Sequence, residues 1–149
     1  MIENEPMMKN FSKWLIVALV LGSGSALARD TKYLLKIADV LSMPEAAGRL
    51  DPNFKFFFGK QPGPQGENRG QVVSNPKTNS ANKSDEDACR WVMLSALREL
   101  QDRAKALGAT SVVGVESYYK KNPFSSETEF ECHAGGFLTG VALRGTAVK

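Results

Sequence analysis

Few residues in this chain have side chains suited to chemistry. They are the cysteines Cys89 and Cys132, the single histidine His133, and three glutamates, Glu127, Glu129 and Glu131, that alternate toward it. On a strand, that alternation puts the three carboxylates and the imidazole on one face. Carboxylates and imidazole together ligate divalent ions, which makes Glu127, Glu129, Glu131 and His133 candidate metal ligands. A solvated sheet face accounts for the same pattern and is the preferred expectation. Nucleophilic catalysis needs a serine or cysteine beside a base, and the only histidine adjoins a cysteine that has another use. A histidine satisfied within its own strand is therefore expected, with no catalytic residues and no cofactor. Two cysteines and one histidine exclude a four-ligand Cys/His zinc site. No phosphate-binding Gly-x-x-x-x-Gly-Lys-Ser/Thr loop occurs, because Gly59-Lys60 is followed by Gln61.

The other use for the cysteines follows from the N-terminus. Lys9 and Lys13 precede an apolar run from Trp14 to Leu21, and Ala26-Leu-Ala28 closes it as a small-x-small site. That is the pattern of a cleavable signal peptide over residues 1–28, with the true start at Met7 or Met8. The run is too short for a membrane-spanning helix. A mature chain from Arg29, free in the periplasm, is expected, with no membrane anchor after cleavage. In an oxidising compartment two distant cysteines pair, so Cys89 and Cys132 are read as a structural disulfide worth about 4 kcal/mol by loop-closure entropy. The alternative is a redox-active pair, but catalytic dithiols usually stand as Cys-x-x-Cys at a helix start.

The rest of the chain must position these groups. After signal removal about 120 residues remain, enough for one domain with a modest core. Nineteen basic against sixteen acidic residues, net +3, predict neither a nucleic-acid-binding face nor a polybasic anchor. Residues 29–83 read as N-terminal strands and polar loops, and residues 84–149 as a helix-strand-hairpin core. Residues 31–38 and 54–59 are apolar-rich strands, with Phe54, Phe56 and Phe58 on one side of the second. Pro44 opens a helical turn, Gln61 to Gly66 is a loop, residues 70–74 are a short strand, and 75–83 are a polar connection.

Ser84 caps the one long helix, with Asp87 at the capping-box position. Cys89, Met93, Ala96, Leu97, Leu100, Ala104 and Leu107 form its apolar stripe. Glu99 and Arg103 add an i,i+4 pair, and Gly108 ends the helix in the left-handed conformation. Residues 110–119 are a central strand in which Gly114 marks a close backbone approach or helix packing. A hairpin loop at 120–126 leads to a returning strand, 127–134, and Gly135-Gly136 breaks the chain before a last strand, 137–148. The fold class is α+β, one long helix packed on a mainly antiparallel sheet in two layers. Tyr118, Tyr119 and Phe124 are candidates for an exposed recognition rim.

The run from Ala96 to Val115 and the later Gly140-Val-Ala-Leu-Arg-Gly-Thr-Ala-Val148 resemble the YbjQ-type heavy-metal-binding family. With Cys89 ahead of the helix and Cys132 before the last strand, the chain looks like that family's exported, RcsF-like branch. The likeness covers roughly residues 85–149. It implies the same two-layer fold, leaves homo-oligomerisation open, and points toward envelope stress sensing. RcsF-like domains carry four cysteines and a lipid anchor, whereas this chain has two cysteines and none at the cleavage point, so anchoring does not carry over. The expected function is an exported, non-enzymatic domain that binds an envelope protein or a small ligand. Divalent-metal binding or buffering is the first alternative, and a thiol-disulfide enzyme is the second.

Overall fold

The structure, a computed structural model, describes residues 29–149; the signal-peptide expectation lies outside them. The chain runs β1 (Thr31–Lys36), α1 (Ile37–Leu41), α2 (Pro44–Arg49), β2 (Lys55–Phe58), β3 (Asn68–Ser74), β4 (Lys77–Asn79) and α3 (Asp85–Ala106). It continues through β5 (Ser111–Ser117), a 3-10 turn (Tyr119–Lys121), β6 (Glu129–Ala134), β7 (Leu138–Gly140) and β8 (Leu143–Val148). The α+β class holds, with α3 packed on the strands.

The helix forms as its residues dictate. Ser84 has extended backbone and its hydroxyl accepts the Asp87 N–H at 3.1 Å, while Asp85, Glu86 and Asp87 place negative charge in the first turn. Gly108, at φ +77°, closes the other end: its N–H reaches the Lys105 carbonyl and the Ala109 N–H reaches that of Ala104. The buried face is wider than the expected stripe, because Val92 and Leu94 are also sealed from solvent. Leu107, by contrast, is 42% exposed, having turned past the end of the helix as its C-cap. Arg103 does not meet Glu99; it donates to the Val73 carbonyl. Each fully buried leucine on this face contributes roughly 2 kcal/mol.

Instead of one sheet, the described residues form two, each four-stranded, in the orders β1-β6-β7-β4 and β2-β5-β8-β3. The returning strand β6 therefore does not pair with β5. It lies antiparallel to β1, with Lys32 opposite His133, Leu34 opposite Glu131 and Lys36 opposite Glu129. The expected last strand is two strands, because the chain leaves one sheet after Gly140 and joins the other at Leu143. Part of the polar connection, Lys77–Asn79, pairs with β7 as an edge strand. The two sheets meet where the Glu131 N–H donates to the Ser117 hydroxyl at 2.9 Å. Among the described residues no helix is long and apolar enough to cross a membrane.

Two local expectations resolve differently. Gly114 sits at φ +60° with no atom within contact of a built Cβ. It serves the bulge that shifts the β5–β8 register between Val113 and Glu116 rather than a close approach. The phenylalanine ladder does form: the Phe54 and Phe56 rings are 5.3 Å apart, Phe56 and Phe58 6.3 Å, and Phe54 and Phe58 are buried.

Candidate functional site

Strand β6 divides its side chains as alternation requires. Phe130, Cys132 and Ala134 face the core and are sealed from solvent, which aims Cys132 at the helix that carries Cys89. The two form a disulfide, their Cα atoms 5.8 Å apart and 43 residues apart in the chain. Both are fully buried, so neither sulfur is open to the in-line attack that thiol exchange requires.

Glu129, Glu131 and His133 share the outer face of β6, but what covers them differs. At the C-terminal end the imidazole is held between two carboxylates: Nδ1 lies 2.7 Å from Asp30 Oδ1 and Nε2 lies 2.5 Å from Glu131 Oε1. The His133 and Glu131 side chains are 11% and 12% exposed, because Tyr119 lies flat on the imidazole with ring centres 3.4 Å apart and planes within 9°. The Tyr119 hydroxyl donates to Asp30 Oδ2 at 3.4 Å. Burial first, and then the Asp30 carboxylate, hold this phenol above its ordinary range, so it stays a donor. Lys120 and Lys121, which follow, have positive φ of 50° and 62°, a left-handed pair uncommon for non-glycine residues. That turn sets the Lys120 ammonium 4.0 Å from Asp30 and 5.4 Å from the Tyr119 ring centre.

A cleft of about 280 Å³ opens over this stack. Arg29, Lys77 and Lys120 line it, along with Asp30, Leu138 and the backbone at Gly135 and Gly140. Its cations come from the segment just before β1, the edge strand β4 and the 119–121 turn, three places that no sequence run connects. Arg29 is anchored by Asp85 in the first turn of α3, and the Tyr33 hydroxyl donates to the same carboxylate at 2.7 Å. These bonds, from Tyr33 first and then Arg29, hold the Asp85 carboxyl below its usual range. No serine, threonine or cysteine lines the cleft, and each nitrogen of its histidine faces a carboxylate oxygen.

The other candidate residues lie elsewhere. Glu127 and Glu129 border a larger groove of about 610 Å³ at the opposite end of β6, where Ile37, Leu41, Phe56 and Phe58 make an apolar lining and Lys36 joins the glutamates. The four residues proposed as metal ligands are thus divided between two neighbourhoods. Among the described residues no group of three or more His, Cys, Asp or Glu side chains is spaced to hold one ion. Tyr118 and Phe124 are half-buried. The guanidinium of Arg144 covers the Tyr118 ring at 4.2 Å, and Phe124 bridges to Ser117. Of the expected rim only Tyr119 reaches the cleft. Asp30, Lys77 and Arg29 escaped sequence reasoning, since only the register of β4 with β7 and the packing of residues 29–30 bring them together. Compared with protein-family models, curated proteins and solved structures, the chain matches none.

Proposed function

We propose that this protein is an exported periplasmic binding domain without catalytic activity, and that the cleft over the Tyr119–His133 stack takes the phosphate group of a small ligand. The observation that carries this reading is the convergence of Arg29, Lys77 and Lys120 on one small cleft, in which Lys77 has no carboxylate partner among the described residues and Asp30, near Lys120, is shared with His133 and Tyr119. Lysines act as point charges toward phosphate and arginine as a fork. The volume stands near the lower edge of the roughly 300–1,000 Å³ that enclose small-molecule ligands, which favours a headgroup-sized anion over an extended substrate. Export is supported by the signal pattern of residues 8–28 and by the disulfide. A place in envelope stress sensing is the role that the resemblance to the YbjQ and RcsF-like domains would add.

Calorimetric titration with glycerol phosphate tests the reading. Saturable binding that weakens about tenfold in Lys77→Gln/Lys120→Gln is expected, in line with the loss of two charge-assisted contacts. Binding unchanged in that variant, or none at millimolar ligand, refutes it.

The carboxylates beside His133 supply a second reading, in which a divalent ion is held by His133 and Glu131 while Asp30 orients the ring through Nδ1. Titration with zinc, copper and nickel distinguishes the two: micromolar binding abolished in His133→Asn supports the metal reading, and heat no different from buffer removes it.

A further inference from the structure

The geometry points to a peripheral membrane contact: the turn between β6 and β7, with the cation-lined cleft beside it, forms a surface for an anionic phospholipid bilayer. This inference rests on the cleft being a phosphate site and names the form in which that phosphate is presented. Phe137 is 80% exposed and Leu138 54% exposed, the two most exposed large apolar side chains among the described residues. They are adjacent and they are held in place. The Gly135 N–H donates to the Leu138 carbonyl at 2.8 Å, closing the turn, and the Ser80 N–H donates to the Phe137 carbonyl at 2.9 Å, tying the tip to the end of β4.

Single apolar residues on a surface are ordinary. Here the location is what matters, because Leu138 also lines the cleft that holds Arg29, Lys77 and Lys120. Lys77 makes no ion pair among the described residues, whereas Arg29 pairs with Asp85 and Lys120 stands 4.0 Å from Asp30, a carboxylate it shares with His133.

An apolar tip flanked by cations matches a bilayer interface, where side chains such as Phe and Leu enter the acyl boundary while lysines and arginines stay with anionic headgroups. A protein partner fits less well. Stable protein interfaces cover roughly 1,000 Å² or more, and two side chains on one turn supply a small part of that. Weak, reversible association is what one apolar tip, one lysine unpaired among the described residues and two partly neutralised cations can support.

Vesicle flotation with the exported protein tests this, using phosphatidylcholine alone against an equal mixture of phosphatidylcholine and phosphatidylglycerol. Binding to the mixture but not to phosphatidylcholine is expected, weakened about tenfold in Phe137→Ala and again in Lys77→Gln, and lost at high salt as anionic surface potential is screened. Phe137 is exposed enough for its replacement to leave folding intact, which circular dichroism checks. No binding to the mixture, equal binding to both vesicles, or binding indifferent to Phe137→Ala overturns the inference. A parallel titration with soluble glycerol phosphate separates the two proposals. If it binds wild type while vesicles do not, the phosphate cleft stands and the membrane contact falls; if neither binds, both fall.

Discussion

Glu129 and Glu131 stand two residues apart on the same face of one strand, yet they belong to different sites. Glu129 borders an apolar groove of about 610 Å³ among Ile37, Leu41, Phe56 and Phe58. Glu131 is hydrogen-bonded to a largely covered imidazole beneath a stacked tyrosine. The strand determines only which face a side chain takes. What that face meets is decided by segments far away in sequence: residues 37–41 and 56–58 at one end, and residues 29–30, 77 and 119–120 at the other. The groove has volume and apolar area, whereas the cleft has organised charge, and it is charge at fixed positions that gives a site chemical selectivity.

The contrast yields measurable differences. The disulfide ties β6 to α3 through Cys132, so removing it with Cys89→Ala/Cys132→Ala should lower unfolding free energy by about 4 kcal/mol; a loss well below that in chemical denaturation would mean the clamp is not what seats the strand on α3. At the cleft, His133→Ala leaves Asp30 and Glu131 without their shared partner and should cost roughly 2 kcal/mol. Replacing Glu131 with Gln should weaken the same network, while Glu129→Gln, half-exposed beside the groove, should stay within about 0.5 kcal/mol. Equal effects from the two glutamates, read by urea melts, would erase the distinction between the ends.

Acid should act through the cleft end as well. Asp85, its carboxyl held low by Tyr33 and Arg29, is ionised in the folded state at pH values where the unfolded chain already takes up the proton. Stability from this group is therefore complete above the ordinary carboxylate range and lost as pH falls through the depressed folded value. Asp51, held low by Lys105 and the Asn53 N–H, titrates in the same direction. Asp85→Asn should flatten part of the acid slope in melts recorded between neutral and acid pH, and an unchanged slope would show that the Arg29 anchor contributes nothing.

Legibility from sequence followed locality. Helix α3, its Ser84 and Gly108 caps and the pairing of Cys89 with Cys132 were readable, because caps, helical periodicity and a two-cysteine count need no knowledge of distant partners. The phenylalanine ladder was readable for the same reason. The two-sheet division was not, since strand pairing is non-local, and nothing in residues 127–134 states that β1 rather than β5 is their neighbour. Lys77–Asn79 is too short and polar to signal a strand and is one only because β7 offers an edge. Phe137 appeared as the start of the last strand, but the Gly135–Leu138 turn puts it outside. Net charge of +3 concealed a local cluster assembled from three separate segments.

The most direct test of the central claim, that the polar end of β6 and not the apolar groove is the binding site, is a two-dimensional amide NMR titration with glycerol phosphate. The account predicts saturable shifts at Asp30, Lys77, Tyr119, Lys120, His133 and Gly135, with Ile37, Leu41, Phe56 and Phe58 unmoved. Shifts concentrated on the groove residues, or none at the cleft with ligand in large excess, would contradict it.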